Sequence, residues 1–187
     1  MNFTDEEKRE MLSIARKALV AYAKDLRHGK TNPEHKRLQE KRAAFVTITK
    51  DGALRGCIGH IEARLPLHLC VRDMAIAAGF KDLRFSKIEL NEIDNIEIEI
   101  SVLSSLVPVK GPEDIMIGRD GLNIIRKPRS GLLLPQVSKK YQWDAKTFLE
   151  ETCIKAGLNA NDWKEPDTKI FRFEADVFSE KSLLNSK

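Results

Sequence analysis

Residues 43–60 read AAFVTITKDGALRGCIGH. Ala43 to Thr49 is rich in β-branched and aromatic residues, Lys50-Asp51-Gly52 is a turn, and Ala53 to His60 is the returning strand. Asp-Gly between two apolar runs is a strong hairpin signal, because the central residues of a tight hairpin turn need positive φ. The stretch therefore predicts a β-hairpin. Its return strand carries LRGCIGH, which puts an arginine, a cysteine, a histidine and two glycines within seven residues.

On the N-terminal side, Thr4-Asp5-Glu6-Glu7 reads as a capping box. Met11, Ile14, Ala15, Ala18, Leu19 and Tyr22 follow at helical spacing, predicting a helix to about Leu26 that His28-Gly29 ends. Residues 27–42 form a polar, basic connection. On the C-terminal side, Pro66 opens a second helix, LHLCVRDMAIAAGF, at a favoured first-turn position. Asn95 to Leu103 is the clearest strand, with Ile96, Ile98, Ile100 and Val102 alternating with Glu97, Glu99 and Ser101. A second hairpin is expected from Asp114–Ile117 and Leu122–Arg126 around Arg119-Asp120-Gly121. An apolar segment from Gly131 to Val137, interrupted by Pro135, follows. Asp144 then caps a helix to about Ala156, which Gly157 stops, and Lys169 to Val177 closes as a strand.

Hairpin, helix and strand thus occur twice, with Asp51-Gly52 and Asp120-Gly121 69 residues apart. The expectation is an α+β fold of mainly antiparallel strands, built from two hairpin-helix-strand halves. The chain reads as one domain over residues 1–187.

Composition excludes several classes. Hydrophobic residues make up 42% of 187, enough for a real core. With 32 Lys and Arg against 28 Asp and Glu, the net charge of +4 is too small to argue for a polyanion partner. The segment from Lys24 to Arg42 is the most basic, yet no aromatic residues interleave its charges as a single-strand binder would want, so nucleic acid is a minor reading. Three cysteines, Cys57, Cys70 and Cys153, form no disulfide framework and suit a reducing cytoplasm. The acidic start is no signal peptide, and no apolar run approaches a membrane span.

The chemistry concentrates in LRGCIGH. Strand alternation puts Arg55, Cys57 and Gly59 on one face and His60 on the other, so Cys57 and His60 are no natural pair unless a bulge re-aims one. Arg55 on the thiol's own face would lower its pKa and anchor an anion. The plainer alternative is a small buried cysteine. Gly56 and Gly59 fit either a ligand's close approach or a bend made for packing. Asp82 and Arg84 after the second helix fit a salt-bridged loop end or a cleft border. Glu99 is an acid or base if its strand face lines a cleft, and an ordinary surface residue otherwise. Cys57, His60, His68 and Cys70 lack the paired spacing of a structural zinc site, so neither a metal nor another cofactor is expected.

LRGCIGH resembles the signature of the AMMECR domain family. KDLRF at 81–85, EIEISVL at 97–103, GLLLPQV at 131–137 and KAGL at 155–158 match further blocks of that family in order. One departure is visible: Leu83 stands where the family usually has proline. The resemblance implies an α+β fold with two sub-domains around a cleft. It also implies that the Arg-Gly-Cys-Ile-Gly block is functional, and that Memo-type and radical-SAM proteins are the partners to consider. Three readings follow. The first is an enzyme or enzyme component acting on an anionic small molecule or a modified protein, with Cys57, Arg55 and His60 as catalytic candidates. Gly56, Gly59, Asp82, Arg84 and Glu99 are the binding candidates. The second is a non-catalytic adaptor, and the third is RNA binding.

Overall fold

The computed structural model describes residues 2–26 and 32–184. In chain order the elements are α1 (Asp5–Ala23), β1 (Ala44–Lys50), β2 (Ala53–Gly59), α2 (Leu67–Phe80), β3 (Ile96–Leu103), β4 (Val107–Val109), β5 (Asp120–Arg126), β6 (Arg129–Leu133), α3 (Pro135–Lys140), α4 (Ala145–Lys155), β7 (Lys169–Ser179) and α5 (Glu180–Leu184). The fold is α+β with antiparallel strand pairing, as the sequence predicts. The chain divides into two compact units, one of residues 2–103 and 176–184, the other of residues 104–175.

In the first unit, Thr4 and Glu7 form both halves of the capping box that starts α1. The helix ends at Ala23, three residues before the expected Leu26. Asp25 adopts φ +53°, its N–H reaches the carbonyl of Tyr22, and that of Leu26 reaches Ala21. This is a Schellman stop with aspartate in the left-handed position, a role usually given to glycine or asparagine. The expected stop, His28-Gly29, lies outside the described residues.

Strands β2, β1 and β3 form an antiparallel sheet in that order. Val46, Ile48, Ile98 and Ile100 face the helices and are fully buried. On α1, Met11, Ala15, Ala18 and Leu19 recur at intervals of three to four and close one side of this core; Leu67, Val71, Met74 and Ala78 of α2 close the other. Asp51 and Gly52 both take positive φ, +52° and +79°, so the Asp-Gly turn is the primed type that matches strand twist.

The second unit repeats the plan. β5 and β6 form a hairpin, β7 pairs with the other edge of β5, and α4 covers the face carrying Leu122, Ile124 and Ile170. The correspondence reaches single residues. Ile48 sits between Gly56 and Ile98, as Ile124 sits between Gly131 and Ile170. A β-carbon on Gly56 would lie 2.1 Å from the main-chain oxygen of Ala78 in α2. One on Gly131 would lie 2.5 Å from the main-chain nitrogen of Ala156, at the end of α4. In both units a strand glycine lets a helix sit directly on the sheet.

The second hairpin is displaced from its expected place. Its turn is Lys127-Pro128, not Arg119-Asp120-Gly121, and Asp114–Ile117 is not a strand. Gly121 mimics a turn signal for another reason: a β-carbon there would meet the Phe173 ring at 2.4 Å. Asp120 beside it is a buried carboxylate held by Arg119, Arg172 and the N–H of Met116. The halves therefore repeat at 76 residues, Asp51-Gly52 against Lys127-Pro128, rather than at 69.

Candidate functional site

The geometry around Cys57 depends on one extra residue. A two-residue turn at Asp51-Gly52 pairs Lys50 with Ala53 and Thr49 with Leu54. Continued without interruption, this register would set Arg55 opposite Ile48 and Cys57 opposite Val46, on the core face. Instead the register shifts between Ile48 and Thr49, so Ile48 pairs with Gly56 and Thr47 with Cys57. Arg55 is the bulged residue. The bulge keeps its charge out of the core and sends Gly56 and Ile58 to the helices. Cys57 goes to the opposite face.

That face carries a polar row across three strands. Thr47 lies opposite Cys57 on one side and opposite Glu99 on the other. The Thr47 hydroxyl and the Cys57 thiol share a hydrogen bond of 3.2 Å. Burial pushes the half-buried thiol above its ordinary pKa of 9.0, against the lowering effects of Thr47 and Arg84. Burial also raises the carboxyl of Glu99, and the neighbouring Glu97 adds to it. Glu99 has no side-chain hydrogen bond among the described residues. In the next row of the same face, Ser101 is buried and its hydroxyl has no partner among them.

The loop after α2 fastens this strand from outside. The N–H of Cys57 donates to Asp82 Oδ2 at 2.9 Å, and Arg84 Nη2 donates to the carbonyl of Cys57 at 3.2 Å. Arg84 also grips Asp82 through Nε at 2.9 Å and Nη2 at 2.6 Å. Together the two side chains occupy both outward main-chain groups of Cys57, the position a neighbouring strand would take, and so cover the edge of β2. The Arg84 hydrogen bonds hold the Asp82 carboxyl well below the usual carboxylate range, against the cost of its burial.

Arg55 does not activate the thiol. Its guanidinium ion-pairs with Glu92 at 2.9 Å and donates to the carbonyls of Ser86 and Lys87. Arg55 and Lys50 bring the Glu92 carboxyl down to about 2, Arg55 contributing most, with help from the N–H of Glu89. Lys50, Arg55, Ser86, Glu89, Asn91 and Glu92 line a polar cavity of about 470 Å³. The expected pairing of Arg55 with Cys57 fails because the bulge re-aims the arginine. The cation that acts on the thiol is Arg84.

The other candidates separate. His60 is exposed beyond the end of β2, and its side chain has no partner among the described residues. His68 is buried, with its ring nitrogen 2.9 Å from the carbonyl of Leu38. Gly56 and Gly59 are filled by protein rather than open to a ligand: Ala78 lies against the first and the Phe45 ring 2.2 Å from the position of a β-carbon on the second. The described residues contain no group of three or more His, Cys, Asp or Glu arranged to hold a metal ion. Cys70 and Cys153 are buried thiols pushed up to about 11 by that burial.

Two residues of this region were not singled out by the sequence. Thr47 becomes visible only when the bulge is known, because a regular hairpin pairs it with Gly56. Glu92 had a signal, since Glu89 and Glu92 make a reciprocal capping box at the turn before β3.

A family model, AMMECR1, matches residues 12–178. The chain belongs to the AMMECR1 family. A protein of Methanothermobacter thermautotrophicus is 40% identical to it, covering 94% of this chain and 95% of the relative. One of Pyrococcus abyssi is 40% identical, covering 94% and 91%. The crystal structure of the uncharacterized protein PH0010 from Pyrococcus horikoshii is similar, with a TM-score of 0.87 and 37% identity over 93% of this chain and 91% of that one. This chain and PH0010 thus share the same α+β architecture. Among the described residues, no helix of this family member is long and apolar enough to cross a membrane.

Proposed function

We propose that this AMMECR1 protein is an enzyme or enzyme component of the cytoplasm, and that its reacting groups are the Cys57 thiol and the Glu99 carboxyl, which flank Thr47 in one row of the sheet. The carrying observation is Glu99. A half-buried carboxyl without a hydrogen-bond partner costs stability, and a strand position that needed only packing would be filled more cheaply by valine or threonine. Such groups recur where protons are moved. The thiol beside it is protonated at neutral pH, so a reaction at Cys57 requires a base. Glu99 occupies the same row, two strand spacings away across Thr47, and is the carboxyl we assign as that base.

The test is the alkylation rate of each cysteine in the folded protein across the pH range, resolved by peptide mass spectrometry. Cys70 and Cys153 are the buried controls. Cys57 should react faster than both, with a midpoint above 9.0. Glu99→Gln should lower that midpoint, because it removes a charge that opposes the thiolate. A Cys57 as inert as the controls, or a midpoint that ignores Glu99, would sink the reading.

A second reading, a non-catalytic adaptor for a Memo-type or radical-SAM partner, draws on Leu83. This leucine is fully exposed at the loop tip between Asp82 and Arg84. An adaptor should co-purify with its partner in stable ratio and lose it on Leu83→Asp. RNA binding has less support. Within the basic connection Arg37 is committed to Glu7 and to the Phe3 ring, and Arg42 to Glu40.

A further inference from the structure

The Asp82–Arg84 pair is lopsided. The aspartate side chain is 4% exposed and the arginine side chain 54%. The negative end is inside and the positive end faces solvent. Arg84 spends Nε and Nη2 on Asp82, and Nη2 also on the carbonyl of Cys57. Its Nη1 has no acceptor among the described residues. A guanidinium fixed on three sides with one nitrogen open is preorganised to receive an oxygen anion.

The charges around the thiol agree with this. Arg84 acts on Cys57 more strongly than either Asp82 or Glu99, although Asp82 accepts the N–H of Cys57 itself. The positive end of the pair therefore dominates at the sulfur. Two carboxyl groups nearby set an upper limit on the charge of a ligand. A second negative charge on a ligand would be repelled by both, whereas a monoanion needs only the open nitrogen.

We propose that the site around Cys57 selects ligands bearing a single carboxylate, received by Nη1 of Arg84. This rests on the reading of the Cys57–Thr47–Glu99 row as a working site, and it assigns to Arg84 the anchoring role that Arg55 does not fill.

Iodoacetate and iodoacetamide test it. Both alkylate a thiolate at the same carbon with loss of iodide, and only iodoacetate carries a carboxylate. The ratio of their rates at Cys57 is measured in the folded protein, in the same protein unfolded in urea, and in Arg84→Gln and Arg84→Lys. The folded wild-type ratio should exceed the unfolded one by about tenfold, the size of a 1.4 kcal/mol charge interaction. Arg84→Gln should abolish the excess and Arg84→Lys should keep part of it. Acetate should also slow iodoacetamide at Cys57 of the wild type in a saturable way, a measurement that needs no variant to fold. If folded Cys57 reacts with iodoacetamide but shows neither the excess nor protection by acetate, the carboxylate assignment is overturned while the site stands. If folded Cys57 reacts with neither reagent, both fall.

Discussion

The main-chain N–H of Cys57 donates to the carboxylate of Asp82 at 2.9 Å, although 25 residues separate them. This bond joins two sequence blocks, RGCIG and KDLRF, that have no regular pairing with each other. Asp82→Ala leaves that N–H without its acceptor and releases Arg84 from the strand edge. The expected loss is about 1–3 kcal/mol in urea unfolding. Hydrogen exchange at the Cys57 amide should accelerate more than at the neighbouring amides of β2. Unchanged protection at Cys57 would show that the clamp does not hold in solution.

Gly56→Ala is expected to be the most damaging single methyl group in the first unit. The added carbon would sit 2.1 Å from a main-chain oxygen of α2, which cannot rotate away. Overpacking against backbone should cost about 3 kcal/mol, read as a fall in melting temperature. Gly52→Ala has open space and meets only the strain of φ +79°, so its cost should be about 1 kcal/mol. Equal effects of the two substitutions would contradict the contact with Ala78.

Glu99→Gln should stabilise the protein at neutral pH. The folded state raises this carboxyl above its ordinary 4.5, so the native protein binds the proton more tightly than the unfolded chain. Its contribution is fully present below pH 4.5 and is lost as pH rises through the folded value. Unfolding free energies of the two proteins should therefore diverge in favour of the variant between mildly acidic and neutral pH. Parallel curves would mean that Glu99 is as well solvated folded as unfolded.

His35 and Glu10 should add stability in a narrow window. Their side chains meet at 2.6 Å, and that hydrogen bond raises His35 above 6.5. For Glu10 burial acts upward, but the hydrogen bonds from His35 and from the N–H groups of Glu34 and His35 outweigh it and hold the carboxyl below 4.5. The His35 contribution is complete below pH 6.5 and lost as pH rises through its folded value. The Glu10 contribution is complete above 4.5 and lost as pH falls. His35→Gln should thus lose most against wild type near pH 5 to 6 and least at pH 9, as chemical denaturation at several pH values will show.

The legible parts of this fold are those fixed by local chemistry. Asp51-Gly52, the Thr4 capping box, Pro66 and the alternating isoleucines of β3 each act within a few residues, and each element starts where they direct. The misplaced second hairpin has the opposite cause. Gly121 is required by the Phe173 ring, which approaches from another strand, and sequence spacing cannot distinguish that demand from a turn. The site was half legible for the same reason. Cys57, Asp82, Arg84 and Glu99 were singled out, but the choice between Arg55 and Arg84 depends on a bulge that Gly56 hints at without showing which residue is the extra one.

Arg55 behaves in the hairpin as a single inserted letter does in a reading frame. Before it, odd-numbered positions of β1 and even-numbered positions of β2 face each other; after it, odd meets odd. Deleting this one residue would leave a regular ladder with the same partners, Gly56 opposite Ile48 and Cys57 opposite Thr47; keeping it but straightening the bulge would turn over everything beyond it, driving Cys57 toward the isoleucines and Gly56 away from α2. Which residues of the strand belong to the interior and which to chemistry is thus decided at a position that belongs to neither.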